Sequence, residues 1–276
     1  MTRINGDLGV WAYAITEDDG DHDISWLTGV AGATVRATRA GNLTVLVSDV
    51  DLAEFGEVAL RRNLEDLTWL ETVARAHHQV IDAASRLFPL LPMRLATVYT
   101  SDESMASVLG AHREELLAAL GRVGGRVEWG VKAYAVPEAE QGNAVSIQSA
   151  ATESADRGSG LAYLKRRKAQ LSARESSWRS ALEGARAVHA HLSALAAAAK
   201  LHPPQSQQLS GNQRPMMLNA AYLLDADAGT GFASQVAAAA DAHRELELDL
   251  TGPWPPYSFT ADDDGEEGPP PAGQGA

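Results

Sequence analysis

RVEWGVKAYAV, residues 126–136, decides how the second half of the chain is read. Val127, Trp129, Val131, Ala133 and Ala135 recur at every second position, the period of a strand with one buried face. Residues 138–160, rich in Gly, Ser, Gln and Ala, read as a loop. From Leu161 to Leu201 the pattern is strongly helical, and Leu164, Leu171, Trp178, Ala185 and Leu192 fall at a spacing of seven, a seam suited to packing on another helix. A straight helix of that length would reach about 60 Å at 1.5 Å per residue, so a break near Gly184 or a projecting arm is expected. HPPQSQQLSGNQRP (202–215) is a loop, MMLNAAYLLD (216–225) a strand, Phe232–Leu246 a helix and ELELDL (245–250) an alternating strand. The order β, long helix, β, α, β, with one strand unassigned, suits a ferredoxin-like α+β sheet carrying a helical insertion at about 158–201.

The first half is also mixed. LGVWAYAIT (8–16) reads as a strand, and ATVRAT (33–38) and LTVLVS (43–48) flank Gly41 as a hairpin. Leu67, Leu70, Ala74, His77, Ile81, Ala84 and Phe88 give one buried face to a helix over Leu64–Phe88, stopped by Pro89 and Pro92. MRLATVYT (93–100) reads as a strand, after which Ser101 or Asp102 caps a helix to about Leu120, ended by Gly121, Gly124 and Gly125.

With 276 residues, 45% of them apolar, the chain has room for two globular domains. The absence of cysteine excludes disulfides, thiolate metal sites and cysteine nucleophiles, and is compatible with a cytoplasmic location. MTRINGDLGVWAY has no long apolar run behind a basic start, so no signal peptide is expected. Charges or prolines interrupt every apolar stretch before a membrane span is reached. Net charge is −13, and −8 without the five acids of the last 16 residues. That balance argues against nucleic acid as a partner.

Candidate chemistry is sparse. GSGLAY (158–163) lacks the third glycine and the preceding strand of a dinucleotide loop. Lys165, Arg166, Arg167 and Lys168 splay around a helix, which suits a solvated face or one that meets an acidic surface. His189 and His191, two apart on a helix, cannot share a metal, and neither can the adjacent His77 and His78. DDGDHD (18–23) lacks the spacing of a calcium loop. His77 lies on the apolar stripe and reads as a hydrogen-bonded core histidine. Arg94 sits in an apolar segment and, if buried, needs a carboxylate or carbonyl partner. The two residues are candidate members of a buried polar pair. No cofactor and no catalytic residue is expected.

TGPWPPYSF (251–259) resembles the C-terminal signature of the gas vesicle GvpF/GvpL family. Other segments are similar in the same order: WAYAI (11–15), WLETVARAHHQVI (69–81), LLPMRLATVY (90–99), VEWGVKAY (127–134), GSGLAYLKRR (158–167) and LNAAYLL (218–224). His78 stands where the family often has an acid, and Met93 and Leu95-Ala96 depart from its pattern around Arg94.

The resemblance implies two α+β domains, the second a modified ferredoxin-like sheet with a long helical extension, closed by a C-terminal tail. The expected division is 1–123, 124–251, a docking tail at 252–260 and a disordered acidic tail at 261–276. Pro253, Pro255 and Pro256 stiffen the docking tail before it binds. Trp254, Tyr257 and Phe259 offer apolar area, so the segment is expected to act as an interdomain clasp. The resemblance also implies a non-enzymatic, cytoplasmic role in gas vesicles, as an assembly factor or minor wall component. Its partners would be the hydrophobic shell protein GvpA and possibly other accessory proteins, with no membrane. Candidate contacts are Leu164, Lys165, Arg166, Arg167, Lys168, Leu171, Trp178 and Leu192, and the sheet of the second domain. The rival expectation is an enzyme or small-ligand protein using the Arg94/His77 region.

Overall fold

The computed structural model describes residues 7–17, 23–137, 159–205 and 212–260. Most of the acidic loop at 18–23, the loop at 138–158 and the acidic tail at 261–276 therefore lie outside the described residues. The chain divides into two compact units, residues 1–128 with 253–276, and residues 129–252.

The first unit is built on β1 (Leu8–Thr16), whose residues are buried from Gly9 onward. β1 pairs antiparallel with β3 (Leu43–Asp51), which pairs with β2 (Arg36–Ala40) across a turn holding Gly41 at φ +67°. That left-handed turn residue is what a tight hairpin needs. Two short helices follow, α1 (Leu52–Phe55) and α2 (Glu57–Asn63), the first capped by Asp51. α3 (Leu67–Ser85) begins where the Asp66 side chain accepts from the Thr68 and Trp69 N–H groups, so the helix starts three residues later than its periodicity suggests. It buries Val73, His77, Val80, Ile81 and Ala84. Leu67 does not join them; it lies about 80° round the helix from His77 and is 78% exposed.

The strand expected at 93–100 is two short ones, β4 (Leu91–Pro92) and β5 (Val98–Tyr99), both paired antiparallel to β1. Between Pro92 and Tyr99 the chain advances seven positions while β1 advances four, from Ala14 to Val10. The three-residue excess loops out as Arg94–Ala96, with Ala96 at φ +67° and the Thr97 hydroxyl donating to the Arg94 carbonyl. Ser101 caps α4 (Asp102–Ala111) as expected, but His112 (φ −107°, ψ 19°) breaks the helix, and α5 (Arg113–Val123) continues separately.

The second unit opens with β6 (Arg126–Ala135), followed by α6 (Ser159–Ser193), β7 (Ala198–Leu201), β8 (Met216–Asp225), α7 (Gly229–Ala242) and β9 (Leu246–Trp254). The spatial order is β7-β8-β6-β9. Sequence order β-α-β-β-α-β in that arrangement is a ferredoxin-like sheet. β7 is the strand that the sequence left unassigned: the alanine run 196–199 reads as helix, but pairing with β8, Ala198 opposite Leu223, overrides that preference. α6 runs unbroken past Gly184. Its second half buries Ala181, Ala185, Val188 and Leu192 with Val131, Ala133, Tyr222, Phe232 and Val236.

One close approach in the first unit makes a side chain costly. A Cβ on Gly29 would fall 2.1 Å from the Tyr13 hydroxyl oxygen. That hydroxyl accepts from the buried Val30 N–H and bonds the Ser48 hydroxyl. Gly29→Ala should cost about 2–3 kcal/mol in urea unfolding. Tyr13→Phe, which leaves the Val30 N–H unpaired, should cost about 1–3 kcal/mol.

Candidate functional site

Three places gather the residues that the sequence singles out. The first is the His77 centre. Trp11, on the buried central strand, donates its indole N–H to His77 Nδ1 at 2.9 Å. The ring proton is thereby placed on Nε2, which lies 3.1 Å from the Met93 carbonyl and donates to it. Tyr13 stacks on the imidazole with ring centroids 5.4 Å apart. Both ring nitrogens are spent on protein partners, so His77 offers no atom to a ligand. Burial, opposed by the Met93 bond and reinforced by neighbouring His78, holds its pKa down at about 4. Arg94 does not pair with it. The expectation of a buried arginine is corrected: Arg94 stands in the looped-out excess between β4 and β5, exposed to solvent.

The second place is the tail. Past Gly252 the chain belongs to the first unit. Pro255, Pro256 and Phe259 are buried, Tyr257 is half-buried, and Pro253 and Trp254 are exposed. His78 receives the tail, its ring 5.5 Å from Trp254 and 6.3 Å from Tyr257. A short 3-10 turn at Tyr257–Phe259 follows. Glu128 fixes it, accepting from the Ser258 N–H at 2.8 Å and from the Ser258 hydroxyl at 2.7 Å. Desolvation, with Asp82 and Glu128 nearby, pushes the Tyr257 phenol well above its ordinary pKa. Glu128 is the residue that sequence reasoning missed. Its one signal is a carboxylate on the face of β6 opposite the alternating apolar set.

The third place is α6. Leu164, Lys165, Arg167, Lys168, Leu171 and Trp178 are all exposed, and the side chain of Arg166 lies outside the described residues. Leu192 is fully buried in the core of the second unit, so it is withdrawn from the candidate contacts. The seam of seven therefore divides: its first three members face solvent, and Ala185 and Leu192 face the sheet. A cleft of about 510 Å³ lies between Arg174, Ser177 and Trp178 on the helix and Val136, Pro137 and Pro215 at the end of the sheet.

The remaining histidines stay apart. His189 shares a hydrogen bond with the Tyr222 hydroxyl at 3.0 Å, and His191 with Gln235 at 3.0 Å. Among the described residues no group of His, Cys, Asp and Glu could hold a metal ion, and no helix is long and apolar enough to cross a membrane.

The family model described as "Gas vesicle synthesis protein GvpL/GvpF" matches residues 9–261. The chain belongs to the GvpL/GvpF family. Within this gas vesicle family it is 40% identical to gas vesicle protein L of Streptomyces sp. (strain CB03234), over 84% of this chain and 85% of that protein. Gas vesicle protein F of the same strain is 27% identical, over 82% and 87%. The crystal structure of GvpF from Anabaena sp. PCC7120 superposes with a TM-score of 0.62 at 20% identity, covering 92% of this chain and 97% of that one. At that identity the superposition establishes the shared GvpF fold. GvpL/GvpF membership establishes a gas vesicle role.

Two measurements test this geometry. His77 is neutral in the folded state to about pH 4, against 6.5 in an open chain. Its contribution to stability is thus full above pH 6.5 and is lost as pH falls toward 4, by about 3 kcal/mol in all. Urea unfolding between pH 7 and pH 4.5 should show that slope, and His77→Gln should flatten it. In the tail, Phe259→Ala should destabilise the first unit by about 3 kcal/mol, and Ser258→Ala by about 1–2 kcal/mol.

Proposed function

We propose that this protein is a non-enzymatic accessory factor of gas vesicle formation, or a minor wall component, that binds the hydrophobic shell protein GvpA. The observation that carries the reading is the family match along almost the whole described chain. A very apolar building block must be shielded before it enters a wall, because exposed apolar surface associates indiscriminately. The second unit offers a suitable edge. β7 is an outer strand of its sheet, with its own Leu201 and the preceding Leu195 exposed. An outer strand can extend its sheet with a strand from a partner. The bonded, buried state of His77 and its lack of any hydrogen bond to Arg94 work against the rival ligand-site reading.

The higher identity to protein L than to protein F of the same Streptomyces strain supports the L branch. The tail is proposed to hold the end of the chain in place. The backbone leaves the second unit at Gly252 and is anchored in the first by Pro255, Pro256 and Phe259.

Co-expression of the tagged chain with GvpA from the same cell tests the reading. Soluble, co-purifying GvpA is expected with the full chain, and several-fold less with the Leu195→Ser/Leu201→Lys variant. A full chain that neither retains nor solubilises GvpA would overturn shell-protein binding.

A further inference from the structure

We infer that the exposed first half of α6 is a docking site for an acidic amphipathic helix of a partner protein. This stands apart from the shell-protein reading and rests on charge and spacing. Residues 159–193 hold seven of the chain's 23 Lys and Arg and only two acids, so this one helix stands at +5 while all other residues together stand at −18. Lys165, Arg167, Lys168 and Arg174 have no ion-pair partner among the described residues; Arg179 pairs with Glu175 on the same helix.

The same stretch exposes apolar side chains that a solvated helix has no use for. Leu164 is 61% exposed, Leu171 57% and Trp178 52%. They are seven apart and form a narrow line along the helix. Arg167 and Arg174 lie about 60° round on one flank, and Lys168 lies about 60° round on the other. An apolar line bordered by charge is the pattern by which helices choose partners: the line supplies contact, the flanks select charge.

Three other occupants fit less well. A second copy of this helix would bring Arg167 and Arg174 against like charges across the seam. A lipid surface needs a broad apolar face, whereas Leu164, Leu171 and Trp178 form a line one residue wide, with Tyr163 exposed to one side of it at the start. A nucleic acid would find the basic stretch, but the −18 carried by all other residues repels it. What remains is a helix with apolar residues at the same spacing and Asp or Glu on both flanks.

The test uses the full chain and a fluorescein-labelled synthetic peptide of about four heptads, Leu in the seam and Glu on both flanks. Fluorescence anisotropy should show binding that weakens as NaCl rises from about 50 to about 300 mM. A peptide with Lys on the flanks should not bind. The R167E/R174E variant should lose affinity by about tenfold or more, and Leu171→Ser/Trp178→Ser by about threefold or more. All four positions are exposed, and circular dichroism verifies the fold. The single variants Arg167→Glu and Leu171→Ser replace any double variant that fails that check. Absence of acidic-peptide binding overturns the proposal, as does unchanged affinity in both folded variants. Tighter binding to a DNA duplex or to phosphatidylglycerol vesicles overturns it in favour of that surface. Dimerisation of the chain abolished by R167E/R174E overturns it in favour of a second copy.

Discussion

The first unit depends on a single requirement: the Trp11 indole N–H, sealed inside a strand buried on both faces, must find an acceptor. His77 meets it, and in doing so ties three separate elements together. β1 supplies the donor, α3 the ring, and the carbonyl of Met93 just past β4 takes the remaining ring proton. A neutral imidazole suits the place because it is acceptor at one nitrogen and donor at the other. A carboxylate or an amine could serve only one side. Tyr13 repeats the theme two residues along, its hydroxyl bonded to Val30 and Ser48. The polar groups of this core thus fix how α3 and the turn after β4 approach the sheet.

Much of the fold was legible in the sequence where a local signal and a tertiary need coincide. β1 is rich in aromatic and branched residues, the β2–β3 hairpin has a left-handed turn glycine, β6 alternates with period two, and Ser101 announces its helix as an N-cap. The failures share a different cause. Ala196–Ala199 has as high a helix propensity as the helical run Ala237–Ala240, and only the open edge of β8 makes a strand of it. Arg94 sits in an apolar segment, yet the pairing of both Pro92 and Tyr99 to β1 leaves three residues too many and expels it. Neither edge pairing nor an excess of residues between two registers is visible in a one-dimensional pattern.

The candidate sites divide along the same line. The tail's prolines and aromatics could be read as a stiff docking segment, because rigidity and apolar area are properties of composition. Its anchor could not: Glu128 lies 130 positions away and is distinguished only by where β6 brings it. The heptad seam was legible as a line of apolar residues, but not its division into a buried half and an exposed half. That division depends on where the sheet ends. Trp178 faces solvent and Ala181, one turn further on, is buried.

The unbroken course of α6 has a mechanical consequence. Gly184 does not interrupt the helix; its bare Cα makes room for the Glu245 carboxylate, which a Cβ there would meet at 2.4 Å. A helix without a hinge acts as a stiff beam, and this one is packed into the core along its second half. From Leu164 to Ala181 the helix runs about 25 Å before its first buried side chain among the described residues. A load applied near Leu164 is therefore transmitted as torque to the packing of Ala185, Val188 and Leu192, instead of being dissipated in a flexible joint.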